Sequence, residues 1–246
     1  MKTLYLECNM GAAGDMLMAA LLELHGSPVD FLRRLNATGL PGVCVKAEPE
    51  VKCGIAGTRI VVKVYGQVEC SQDYPDDHGH EHGHEHSHIH AQTHGHDHSH
   101  GAYSDIKRLV GQLPVSETVK RDVLAVYQRI AEAESQVHGV ALEQIHFHEV
   151  GEMDALADIL GVCLLIEELA PDQILASPIH VGSGFVRCSR GILPVPTPAT
   201  ALILQGVPIY SDQTKGELCT PTGAALLRHF AGAFCAMPMM AVSGIG

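Results

Sequence analysis

The densest chemistry in this chain is imidazole. His78, His80, His82, His84, His86, His88 and His90 alternate with Gly, Glu, Ser and Ile, and His94, His96, His98 and His100 resume the pattern, so 11 of the 17 histidines fall between 78 and 100. In an extended chain every second side chain shares a face, with neighbours on that face about 7 Å apart, and adjacent imidazoles can converge on one ion. Neutral imidazole suits nickel, zinc and copper, while the lack of thiolate in the tract argues against a closed structural zinc site. The run is internal and broken by Glu, Ser, Ile and Gln, unlike a purification tag. It reads as metal capture or storage rather than a linker of accidental composition, and composition does not choose between nickel and zinc.

A second set is His146-Phe147-His148-Glu149-Val150-Gly151-Glu152-Met153-Asp154, with Asp158 four residues on. An extended 145–150 turns His146 and His148 one way and Phe147 and Glu149 the other, and Asp154 and Asp158 share a helix face. Two imidazoles and two carboxylates then meet at a strand-to-helix junction, a nitrogen and oxygen set suited to a labile transition-metal site. The same spacing fits histidines satisfied locally, with Asp154 as a helix N-cap. A third set, Gly11-Ala12-Ala13-Gly14-Asp15-Met16, follows a strand and opens a helix, where free N–H groups and the helix dipole favour an anion. It is neither a Walker A loop nor G-x-G-x-x-G, and a plain turn with Asp15 as cap explains it as well. Thr220-Pro221-Thr222-Gly223 suits a helix start capped by Thr220, whose hydroxyl, with that of Thr222, could hold a phosphate. The run 193–200, with three prolines, reads as a stiff extended lead into a helix.

The elements that must hold these groups alternate between strand and helix. Residues 2–7 read as a strand, 16–25 and 29–35 as helices, and 43–51 with 58–64 as a hairpin around the 54–57 turn. From Gly66 to Gly101 periodicity vanishes. The segment 66–102 reads as a disordered His-rich metal-binding loop inserted into one domain made of 1–65 and 103–246. Helices are expected over 103–110, over 116–137 with Ser116 as N-cap, over 154–169 before Pro171, and over 198–204 and 221–230. Short strands are expected over 173–176, 179–181 and 207–210. The class is α/β, a mixed sheet of three to six strands covered by helices.

Length and charge narrow the function. The 246 residues carry a formal charge of −12, and the segment 66–102 holds seven acids and no Lys or Arg, leaving −5 elsewhere. That balance argues against a chain-wide grip on nucleic acid or anionic lipid. No apolar run reaches about 18 residues and the first residues lack a secretory signal, so a cytoplasmic protein is expected. With 46% hydrophobic residues but 4% aromatic and no Trp, the core must be aliphatic. Eight cysteines without a C-x-x-C pair read as buried or idle thiols.

Five segments in this order resemble one family: residues 5–16 with Cys8 and the glycine turn, the histidine tract, 146–151, Gly191-Ile192-Leu193-Pro194-Val195-Pro196, and Glu217-Leu218-Cys219-Thr220-Pro221-Thr222-Gly223. Together they are similar to the nickel insertion proteins that mature the nickel-pincer nucleotide cofactor of lactate racemase. The resemblance implies a CTP-dependent chelatase that places Ni(II) into a pyridinium mononucleotide bearing two thiocarboxylates, forming two Ni–S bonds and one Ni–C bond. Such chemistry needs nickel with displaceable ligands and a base for the ring proton, and His148 or Glu149 is the candidate base. The two helix starts then offer Gly11, Gly14, Asp15, Thr220 and Thr222 as candidate nucleotide-binding residues. The metal ligands would be the tract histidines with His146, His148, Asp154 and Asp158. The family continues into a C-terminal CTP-binding domain, sometimes encoded separately, so this chain is expected to hold the nickel-loading half, with lactate racemase or a related enzyme as client. Association with further copies of itself stays open. The competing readings are a nickel store or metallochaperone without catalysis, and a zinc hydrolase built on His146 and His148, for which no third ligand and base are spaced.

Overall fold

A computed structural model describes residues 1–68, 103–142, 145, 153–188 and 191–246. The histidine tract, His146, His148 and Glu149 lie outside the described residues.

In chain order the elements are β1 (Thr3–Leu6), α1 (Gly14–Glu23), α2 (Pro28–Asn36), β2 (Val43–Lys52), β3 (Ile55–Val64), α3 (Tyr103–Gln112), α4 (Glu117–His138) and α5 (Met153–Leu169). There follow β4 (Gln173–Ala176), β5 (Ile179–His180), β6 (Gly182–Ser183), β7 (Phe185–Cys188), β8 (Gly191–Pro194), α6 (Pro198–Ile203), β9 (Ile209–Tyr210), β10 (Gly216–Glu217), α7 (Pro221–Phe230) and β11 (Ala233–Phe234). The α/β class stands, but the sheet differs from expectation. Among the described residues the largest sheet has three strands, ordered β1-β4-β11 and all parallel, accompanied by four two-stranded sheets. Strands of two to four residues leave no alternation to read, which is why β6, β7, β8, β10 and β11 escape the sequence.

The longest helix, α4, starts and stops where local chemistry says it should. The Ser116 hydroxyl accepts the Val119 N–H at 3.1 Å, and Gly139, at φ 64, closes α4 in the left-handed conformation that glycine adopts without strain. Val119, Val123, Val126, Tyr127 and Ile130 form the buried stripe of that helix. It packs on α5, α6 and α7, while α1 lies between α5 and β3. α5 is apolar on most sides because it is enclosed, with Leu156, Ile159 and Leu160 fully buried. The β2–β3 hairpin covers α1 and α5 from one side, and Asn36 in α2 bridges to it by accepting the Val45 N–H and donating to the Val45 carbonyl, both at 2.8 Å. This framework presents the carboxyl ends of β1 and β4 together, the edge of a parallel sheet where ligand crevices form.

Candidate functional site

The glycine turn leaves the carboxyl end of β1 and is locked in place from a distant part of the chain. Gly11, at φ +80, donates its N–H to the Cys8 carbonyl at 3.0 Å. Ala12 then donates to the Leu218 carbonyl at 2.9 Å and accepts the Thr220 N–H at 3.0 Å, a parallel bridge between Ala12 and Cys219. A Cβ on Gly11 would run into the Leu218 carbonyl, and one on Gly223 into the Ala12 carbonyl, so both glycines are required by backbone-to-backbone approach. Thr220 caps α7, its hydroxyl accepting the Gly223 N–H at 3.2 Å, and Thr222 sits in the first turn of that helix. Thus the turn carrying Gly11, Gly14 and Asp15 and the segment carrying Thr220 and Thr222, some 200 residues apart, form one junction.

The cap assignment of Asp15 does not hold. The N-cap of α1 is Ala13, which has no polar side chain, and Asp15 lies in the first helical turn with its Oδ1 accepting the Met16 N–H at 2.8 Å. Its carboxylate still favours the positive end of the helix.

α5 brings carboxylates to this junction. A Cβ on Gly14 would stand 2.7 Å from the Asp158 Cβ and 2.8 Å from its Oδ2, so the start of α1 lies directly on Asp158. Burial pushes the Asp158 carboxyl well above the usual carboxylate range; the charges of Asp15 and Asp154 push it further, against a hydrogen bond from the Asp15 main-chain N–H. On the other side stands Tyr127, fully buried, its phenol raised first by burial and then by Asp154 and Asp158. The Oδ1 atoms of Asp154 and Asp158 are buried and have no hydrogen-bond partner among the described residues. Like charges gathered in a low-dielectric pocket attract a proton or a cation. Among the described residues no group of three His, Cys, Asp or Glu side chains is arranged to hold a metal ion, so any site built on Asp154 and Asp158 needs donors from elsewhere.

Several residues at this edge carried no signal of their own in the sequence. The buried Thr197 hydroxyl donates to Glu217 Oε1 at 2.9 Å and lies 3.0 Å from the Thr200 hydroxyl, which ties the proline-rich stretch to the strand leading into Cys219. The stretch runs from β8 directly into α6, the stiff lead into a helix that the sequence suggests. His180, after β4, donates its main-chain N–H to the Cys8 carbonyl at 3.1 Å. Its buried Nε2 lies 3.0 Å from Asp212 Oδ1, with the Tyr210 ring edge-on at 4.7 Å. Nothing local marks these partners, which meet only across strand pairings. Cys8 and Cys219 are both buried, and burial pushes their thiols up to about 11 and about 12. Neither is a thiolate near neutral pH. Cys163 is also buried, whereas Cys44 and Cys53 are exposed.

Residues 4–246 match the model of a family described as nickel insertion protein. The chain belongs to that family. It is 40% identical over 229 residues to the pyridinium-3,5-bisthiocarboxylic acid mononucleotide nickel insertion protein of Clostridium kluyveri, covering 92% of this chain and 53% of that protein. A protein of the same name from Desulfitobacterium hafniense is 38% identical over 248 residues, covering all of this chain and 54% of its own length. The chain spans about half the length of the curated relatives it matches. No solved structure matches it. Membership gathers the interlocked junction, the proline-rich stretch and the carboxylates of α5 into one matched unit. No helix among the described residues is long and apolar enough to cross a membrane.

Proposed function

We propose that this chain is the nickel-loading part of a chelatase that inserts Ni(II) into pyridinium-3,5-bisthiocarboxylic acid mononucleotide, maturing a nickel-pincer cofactor. The observation that carries this reading is the pair of buried carboxylate oxygens on Asp154 and Asp158 without a hydrogen-bond partner among the described residues, with Asp158 set against the start of α1. The names borne by the relatives at about 40% identity support the substrate. The tract from His78 to His100 gathers nickel. His146 and His148 join Asp154 and Asp158 as the delivery site, with weak oxygen ligands that the thiocarboxylate sulfurs displace. As the Ni–C bond forms, the ring carbon loses its proton to His148 or Glu149, and the charge on nickel is balanced by the two sulfur ligands and the carbanion. Gly11, Gly14, Asp15, Thr220 and Thr222 orient the nucleotide at the junction. CTP acts through residues outside this chain, the cytoplasm is the site of action, and lactate racemase or a related enzyme is the client.

The test separates capture from delivery. Replacing His146 and His148 together with Ala in the complete chelatase, tract intact, is expected to leave bulk nickel binding nearly unchanged and to abolish insertion. A normal insertion rate in that variant would overturn the delivery site. Deleting 78–100 is expected to cut nickel binding while insertion persists in excess nickel. Loss of insertion even in excess nickel would favour the storage reading.

A further inference from the structure

Residues 236–246, Ala-Met-Pro-Met-Met-Ala-Val-Ser-Gly-Ile-Gly, contain no charged side chain. Having left β11, they run back over α1: a Cβ on Gly244 would stand 3.2 Å from Leu24, and one on Gly246 would meet the Ala20 carbonyl. They enclose a cavity of about 520 Å³ against the edge strand β1, from Lys2 to Cys8, and against Met16, Leu17 and Ala20 of α1. The tail is exposed along nearly its whole length, with only Met240 half-buried: Met237, Met239, Val242 and Ile245 are exposed, Met239 completely and Ile245 to 83%, and Met16, which lines the same cavity, is 44% exposed. Apolar residues exposed singly need no explanation, but a contiguous set marks a surface meant to be covered. Methionine is the residue that adapts such a surface to a partner.

We infer that this methionine-rich face, made by 237–245 and Met16, is the surface on which the other half of the family's polypeptide docks, whether it is joined to this chain or separate. The relatives carry nearly as many residues again as this chain matches, a partner of ample size to cover such a face. The strongest apolar exposure lies in the stretch that borders the cavity along β1 and the glycine turn, so a partner seated there would also close over the edge where the site lies. The inference rests on family membership and not on the nickel reading.

Intact Desulfitobacterium hafniense relative is the natural test, because its match covers this whole chain. A benzoylphenylalanine at the position aligned with Met239 or Ile245 is expected to cross-link to residues outside the matched region. The yield should be about tenfold or more above the same probe at the position aligned with Lys52, on the β2–β3 hairpin tip. Cross-links that stay within the matched region, or no excess over the Lys52 control, would overturn the inference. In parallel, sedimentation of this chain is expected to show a monomer, unchanged by Met239→Asp with Ile245→Asp. A dimer dissolved by those substitutions would assign the face to a second copy and also overturn it. Neither measurement involves nickel, so its outcome is independent of the proposed insertion chemistry.

Discussion

Asp158 and His180 are both ionisable groups folded into the same end of the molecule, and their surroundings differ in kind. Asp158 faces like charge, Asp15 and Asp154; its carboxyl accepts the Asp15 main-chain N–H, but its buried Oδ1 has no hydrogen bond among the described residues. His180 stands beside the Asp212 carboxylate, which is itself exposed and anchored by the Thr214 N–H at 2.7 Å, and its two buried ring nitrogens have no well-formed hydrogen bond among the described residues. A centre of like charge gains from a proton or a cation, whereas an imidazole beside a carboxylate meets a group that attracts its charged form. The carboxylates therefore favour a proton or a cation, and the imidazole stands between β5 and the turn that follows β9.

The most disruptive way to break the carboxylate centre is to part the interlock that holds it. Gly223→Ala places a methyl group against the Ala12 carbonyl and is expected to cost about 3 kcal/mol, lowering Tm by roughly 6–12 °C. Gly26→Ala, where an added Cβ meets nothing within 4 Å, is the control and should leave Tm nearly unchanged. Next in size is Asp158→Asn. Removing a carboxyl whose ionisation burial and like charge oppose is expected to stabilise the metal-free protein by about 1 kcal/mol or more near neutral pH while abolishing stabilisation by added nickel. A destabilised variant that still responds to nickel would show that Asp158 is structural.

The pH dependence sharpens the contrast, with opposite signs at the two centres. The folded-state pKa of Asp158 is raised, so its contribution to stability is fully present below the unfolded carboxylate value and is lost as pH rises through the folded value. Thermal unfolding of the metal-free protein should show that loss, and Asp158→Asn should flatten it. Asp212 is lowered, chiefly by its hydrogen bonds to Thr214 and then by His180, so its contribution is present above the unfolded value and lost as pH falls through the folded one. Being exposed, Asp212→Asn should move Tm by no more than about 2 °C at neutral pH.

The smallest effect concerns the thiols at the junction. Cys44 and Cys53 should react with a thiol reagent at neutral pH well before Cys8 and Cys219, which are buried and protonated. Peptide mapping of the labelled protein after partial reaction checks the order. Early labelling of Cys8 would show that the junction opens readily.

Much of the local structure was legible. The α7 boundaries, the Ser116 and Thr220 caps, the β2–β3 hairpin and the helical spacing of Asp154 and Asp158 all rest on interactions within a few residues, and each appears in the fold. Asp15 misled because a polar residue after a glycine turn looks like a cap, while the helix begins one residue before it. The proline-rich stretch does lead stiffly into α6, but its tie to Glu217, 20 residues away from Thr197, has no local mark.

By itself the sequence determined the chemistry on offer, an imidazole tract, two spaced carboxylates and a glycine turn, together with the family to which they belong. Only the tertiary structure decided which of them meet. The pairing of Ala12 with Cys219, of β1 with β4, and of Gly14 with Asp158 links residues 144 to 207 positions apart. Strands of two to four residues and a glycine chosen for a distant carbonyl leave no periodicity in the chain. Their positions follow from the packing of α1, α4, α5 and α7 around one aliphatic core, which no local pattern encodes.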